Sequence, residues 1–128
     1  MKLRIKGNSI RLRLTRSEVK SFGELGKVSE TIEFGEEENQ KLVYSLLCLD
    51  NGGQVDVEFN DRQINILVPS DIAKDWVNTE KIGFSAKQQL SKGGDFSILV
   101  EKDFACLKPR DGEDESDNYP HPNAGEAC

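Results

Sequence analysis

The chain is 128 residues long, 36% hydrophobic and 31% charged, with a formal net charge of −6 at pH 7. That length and composition fit one packed core with a tail and argue against a disordered chain, and no run approaches the roughly 20 apolar residues of a spanning helix. The acidic balance argues against non-specific nucleic-acid binding as the main role.

Met1 to Lys6 is a charged strand and not an apolar signal region, so a cytoplasmic address is the expectation. Residues 2 to 6 and 9 to 14 alternate around Gly7-Asn8, a dipeptide suited to the positive φ angles of a two-residue hairpin turn. Thr15 and Glu18 then have capping-box spacing, and a short helix is expected with Val19, Phe22 and Leu25 on its apolar face. Gly23 weakens that helix, and Gly26 suits a left-handed C-terminal cap. Val28 to Phe34 alternates again, a polar loop runs from Glu36 to Gln40, and Leu42 to Leu49 is an apolar run closed by Asn51-Gly52-Gly53.

The same order returns. Val55 to Phe59, a turn near Asp61-Arg62, and Ile64 to Val68 lead to a helix opened by Pro69-Ser70-Asp71, with Ser70 as the expected N-cap. Ile82 to Ala86 and Phe96 to Val100 complete the second set, joined by a loop around Ser91-Lys92-Gly93-Gly94. A shift of 54 residues lays one half on the other without a gap, placing Leu3, Ile10, Leu14, Phe22 and Val28 on Val57, Ile64, Val68, Trp76 and Ile82. The predicted architecture is therefore α+β: two ββαββ repeats, residues 1–50 and 54–104, related by a pseudo-two-fold. They would share one core, as a barrel or a two-layer sandwich with two short helices. Residues 1–107 form the predicted domain, with Phe104 and Leu107 docking a last turn; 108–128 read as an acidic, unpacked tail.

The opening Met1-Lys2-Leu3-Arg4-Ile5-Lys6-Gly7-Asn8-Ser9-Ile10-Arg11-Leu12-Arg13-Leu14, together with Glu101-Lys102-Asp103-Phe104-Ala105-Cys106-Leu107, resembles a family of small uncharacterised bacterial proteins. The resemblance covers most of the chain. It implies a bacterial cytoplasmic protein and brings no catalytic residue with it.

Charge is distributed unevenly. Lys2, Arg4, Lys6, Arg11, Arg13 and Arg16 precede the first acid, Glu18, while Asp111, Glu113, Asp114, Glu115 and Asp117 crowd the tail. With Gly7-Asn8 as the turn, Arg4 opposes Arg11 and Lys2 opposes Arg13, and like charges directly opposed in a sheet are destabilising. An anion is needed nearby. The candidates are Asp56 and Glu58, which the 54-residue shift places on Lys2 and Arg4; the acidic tail; or an outside anion, either a small molecule or an acidic protein surface. No aromatic residue interleaves with these bases, which speaks against nucleic acid.

Other chemistry is sparse. Cys106, His121 and Cys128 supply three ligand types that zinc accepts, but no short pair spacing preorganises them, so zinc is disfavoured. Cys48, in an apolar run, reads as a small packed residue, and the acidic cluster lacks the spacing of a calcium loop. No nucleophile motif, P-loop or dinucleotide fingerprint occurs. The expected function is a non-catalytic binding or interaction module working through Lys2, Arg4, Arg11 and Arg13. A metal or redox protein using the tail Cys and His, and an enzyme at the repeat junction, are the alternatives.

Overall fold

The computed structural model describes residues 1–50, 53–105 and 116–120. Eight strands run in chain order as β1 (Lys2–Ile5), β2 (Ser9–Leu14), β3 (Lys27–Glu33), β4 (Lys41–Cys48), β5 (Asp56–Asn60), β6 (Gln63–Val68), β7 (Gly83–Gln89) and β8 (Asp95–Lys102). Helix α1 (Arg16–Leu25) follows β2, helix α2 (Ser70–Asn78) follows β6, and a 3-10 turn (Glu38–Gln40) precedes β4. The strands form two four-stranded sheets, ordered β1-β2-β8-β7 and β3-β4-β6-β5. No strand pair joins the two sheets among the described residues, so of the two predicted shapes the sandwich stands and the barrel does not.

Each sheet takes one hairpin from either half of the chain. The hairpin β1–β2 lies against β7–β8 through a parallel β2·β8 seam, and β3–β4 lies against β5–β6 through a parallel β4·β6 seam. The two seams share a register: Ser9 pairs with Ser97 in one, and Gln63 pairs with Val43 in the other. The gapless overlay breaks at one place. Lys27 pairs with Leu47, whereas the partner of Glu101 is Gly83 and not Lys81, so β7 sits two residues later than a uniform shift requires. Val28 pairs with Leu46 and Phe84 with Val100, while Ile82, matched to Val28 by the overlay, lies outside the strand and is 45% exposed. The cause is a longer connection from α2 to β7. A slip of two preserves which side chains face the core, because side chains alternate with a period of two.

Local expectations hold where short-range chemistry decides. Gly7 has φ +55 and Asn8 does not share the positive sign, the pattern of a type II′ turn, and Lys6 and Ser9 exchange two backbone hydrogen bonds of 3.1 Å. Both φ angles are positive at Asp61 and Arg62, as in a type I′ turn. Thr15 and Glu18 close the capping box and Gly26 ends α1 at φ +72. Ser70 is a correction. It is the first helical residue, Pro69 precedes it as the cap without a side-chain bond, and the Ser70 hydroxyl donates to Asp50 Oδ1 at 2.6 Å instead.

One hydrophobic cluster draws on the inner faces of both sheets and on both helices. The helices close one end of the sandwich, where Phe22 of α1 meets Trp76 of α2 edge-on at 6.1 Å and Trp76 meets Phe84 at 5.4 Å. Trp76 is fully buried and its indole N–H donates to the Ile82 carbonyl at 3.0 Å, so the polar handle of the largest core residue is satisfied. Gly23 is required by the helix crossing: a Cβ there would lie 2.6 Å from Val77 Cγ1. Gly23→Ala is therefore expected to destabilise the protein by about 1–2 kcal/mol despite its better helix propensity. Adding Val77→Ala should return part of that loss, and chemical denaturation of the two variants checks it.

The amino group of Met1, just ahead of β1, ties this end of the strand to α1 and β3. Met1 N–H donates to Glu18 and, at 2.7 Å, to Glu30, while the Tyr44 hydroxyl donates to the Met1 carbonyl at 2.8 Å. Burial opposes ionisation of Glu18, but the bonds from the amino group and from the Thr15 N–H outweigh it and hold the carboxyl below its ordinary 4.5. Burial likewise opposes the charged amine, and its bonds to Glu18 and Glu30 still raise it above its ordinary 8.0. A depressed carboxylate stabilises the fold above its unfolded pKa and loses that effect as pH falls through the folded value. A raised amine stabilises below its unfolded pKa and loses the effect as pH rises through the folded value. Stability should accordingly fall on acidification below pH 4.5 and again on alkalinisation above pH 8.0. Both slopes should be shallower in Glu18→Gln, measured as denaturation midpoint against pH.

Residues 116–120 are not unpacked, unlike the tail predicted from composition. Tyr119 exchanges backbone bonds with Asp103 and Ala105, its ring lies 5.6 Å from that of Phe104, and Asp117 bonds Ser17 and the Arg16 N–H at the start of α1. Leu107 and the acidic positions 111–115 lie outside the described residues.

Candidate functional site

The outer face of the β1-β2-β8-β7 sheet is where the predicted binding residues converge. The register opposes Lys2 to Arg13 and Arg4 to Arg11, so all four side chains share that face. Their neighbours come from β8, which the parallel seam brings beside β2. Arg13 pairs with Glu101 and Arg11 with Leu99 across the seam.

Glu101 is the anion that the opposed bases need. Its Oε1 accepts from Arg11 Nε at 2.5 Å and lies 3.8 Å from Arg13 Nε. Asp103, 1% exposed, meets Lys2 Nζ at 3.1 Å as an ion pair without hydrogen-bond alignment. Asp56 and Glu58, the first of the candidate anions, do not neutralise these bases within the fold. Strand β5 belongs to the other sheet, because the β1–β2 hairpin pairs with β7–β8 and not with β5–β6. Loss of Glu101 removes the carboxylate from Arg11 and Arg13 while Lys2 keeps Asp103, so Glu101→Gln is expected to cost about 0.5–1 kcal/mol at low salt, less as salt is added, read by denaturation at two ionic strengths.

Above this row the face hollows into a groove of about 500 Å³. Arg4 and Lys6 line it from the β1 side, Arg11 from β2 and Lys87 from β7. Ser85 and Ser97 contribute two hydroxyls, the Ser9 hydroxyl already donates to the Lys6 carbonyl at 2.6 Å, and Leu99 is an apolar patch in the floor. Among the described residues, Arg4, Lys6 and Lys87 have no carboxylate within ion-pair distance, and no carboxylate lines the groove. Four cations surround a concave floor with hydroxyl donors, a composition suited to an anion that accepts several hydrogen bonds at once.

Of the four predicted residues, Arg4 and Arg11 line the groove, while Lys2 and Arg13 stand one row away, bound to Asp103 and beside Glu101. Lys6, Lys87 and the three serines were not singled out by the sequence. Lys87 alternates in phase with Ser85 along β7, but only the sheet order places that phase opposite β1. Cys106, His121 and Cys128, the candidate zinc ligands, lie outside the described residues, and among the described residues no group of three His, Cys, Asp or Glu side chains is placed to hold a metal. Cys48 is half-buried in β4, with its N–H on the Gly26 carbonyl at 2.8 Å. At the inner end of β8, Lys102 is buried, donates to the Thr79 carbonyl at 2.8 Å at the end of α2, and burial lowers its pKa.

A family model covers residues 1–123. The chain belongs to a family of unknown function (DUF7009). No curated protein and no solved structure matches it. Membership agrees with the resemblance carried by the opening hairpin and the Glu101–Leu107 segment, and it assigns no activity. Among the described residues, no helix is long and apolar enough to cross a membrane.

Proposed function

We propose that this DUF7009 protein is a non-catalytic binding module that holds an anionic ligand in the basic groove of the β1-β2-β8-β7 sheet. The observation that carries the proposal is the set Arg4, Lys6 and Lys87: three cations on a concave surface, without a carboxylate partner among the described residues, around serine hydroxyls. Charges left in this way gain from an incoming anion what Arg11 already obtains from Glu101. The concavity favours a small ligand over an acidic protein surface, since about 500 Å³ lies within the range of small-molecule sites.

The same reading takes the scaffold as two fused copies of a ββαββ unit that exchange hairpins. The shared register of the two parallel seams supports it, as do two contacts between positions that the overlay equates, Phe22 with Trp76 and Gly23 with Val77.

Inorganic pyrophosphate, titrated by calorimetry or by amide shift changes, tests the proposal. Saturable binding that weakens about fivefold in Arg4→Ala and again in Lys87→Ala, with steep loss in salt, is the expected result. Both side chains are exposed, so the fold should survive either change. Absence of saturable binding, or binding indifferent to both substitutions, would refute it.

A further inference from the structure

Strands β2 and β8 run parallel in one sheet and β4 and β6 in the other, and the helices leave β2 and β6 at the end where Phe22 meets Trp76. The four hairpin turns, residues 6–8, 90–94, 34–40 and 61–62, therefore gather at the opposite end. Four of the seven exposed large apolar side chains among the described residues belong there: Ile5, Phe34, Phe59 and Leu90, exposed by 58%, 74%, 68% and 40%. Between the sheets this end opens as a hollow of about 450 Å³ with the buried Ile10 and Ile64 at its floor. Among the described residues no helix covers it and no charged side chain lines it. Apolar side chains gathered in this way at one exposed end mark an interaction surface, where scattered ones do not.

The rim of this end is divided by sign. The turns of the β1-β2-β8-β7 sheet carry Lys6 and Lys92 and no acid, whereas those of the β3-β4-β6-β5 sheet carry Glu36, Glu37, Glu38 and Asp61 against one base, Arg62. Arg62 lies 3.4 Å from Asp61 and Lys41 lies 2.9 Å from Glu38. Among the described residues Glu36 and Glu37 are left with no base, and Lys6 and Lys92 with no acid, within ion-pair distance. A surface that is apolar at its centre, basic on one side and acidic on the other is complementary to itself turned half round. A two-fold axis lying in the plane of the sheets and across their strands stacks the basic turns of each copy on the acidic turns of the other, twice, and covers the apolar rim between them. An axis normal to the sheets would oppose like to like. We infer that the turn end is the contact between two copies of this chain, an end-to-end dimer on the first of these axes. Four strands and two sheets present an end roughly 20 Å across, near the lower limit for a specific interface, so the dimer forms reversibly in the micromolar range. The basic groove lies on the outer face and Lys92 does not line it, so the dimer and the anion site are tested apart.

Sedimentation equilibrium of the whole chain at low salt, from about 1 to about 500 μM, reads the association. The expected result is a dimer that weakens at least about a hundredfold in Phe59→Ser/Leu90→Ser, altered at exposed positions and checked by circular dichroism, and about tenfold in Lys92→Glu. Mixing separates this two-fold from any other. Lys92→Glu and Glu36→Lys/Glu37→Lys should each associate poorly alone, through two repulsive contacts, yet form a heterodimer together, since each then opposes its altered turn to that of the other. A chain that stays monomeric throughout the range overturns the inference, and so does a dimer indifferent to the change at Phe59 and Leu90. A dimer lost in that variant but not restored by mixing overturns the pairing of basic with acidic turns. Saturable uptake of octanol by a monomer, abolished in Phe59→Ser/Leu90→Ser, gives the hollow to a small apolar ligand instead.

Discussion

The parallel seams β2·β8 and β4·β6 are the constraint from which the rest of the molecule follows. A hairpin alone is marginal in water, and each hairpin here becomes part of a four-stranded sheet only by pairing with one from the other half of the chain. Once both seams are made, the sheets face one another, and the helices that leave β2 and β6 arrive at the same end. Phe22, Trp76 and Phe84 then plug that end together. Neither half has an independent core, since the cluster of buried side chains is common to both.

The seams also write the electrostatics of the outer face. A run of bases on an isolated hairpin would be a solvated surface and nothing more. Beside β8 the same run becomes graded. Glu101 and Asp103 neutralise the row containing Lys2 and Arg13 and reach Arg11, while the row nearer the turn keeps Arg4, Lys6 and Lys87 around a serine-lined floor. The division between a structural charge network and a receptive one is thus a matter of register: Glu101 near the end of β8 and Asp103 just beyond it are acids, and the two preceding positions on this face are Leu99 and Ser97.

Features set by nearest neighbours were legible in the sequence. The Gly7-Asn8 turn fixes which bases oppose each other, the Thr15–Glu18 spacing fixes the start of α1, and the match of Phe22 to Trp76 identifies the core plugs. What escaped depends on long-range pairing or on competition. Periodicity gives the faces of strands but not their order, so Glu101 was invisible as the partner of Arg11, and Asp56 and Glu58 were the wrong acids. The two-residue slip of β7 preserves the alternation of faces and so leaves no mark on a hydrophobic overlay. Ser70 had the right chemistry for a cap but falls one position inside the helix, with Pro69 in the cap position, and its hydroxyl donates to Asp50. Residues 116–120 have a loop-like composition, and it is the backbone of Tyr119, bonded to Asp103 and Ala105, that holds them.

Interleaved hairpins also carry a consequence for synthesis. Among the described strands, the one that completes the first sheet is the last to be made: Ser9 waits for Ser97, and until then β2 presents an open edge and a bare apolar face. Closing so long a loop costs entropy before any contact rewards it, so this pairing is comparatively slow to form. A nascent chain interrupted after β6 could join Tyr44 to Ile64 and finish one sheet, yet it would leave its opening hairpin without a neighbour, exposed to proteases and to other copies of itself.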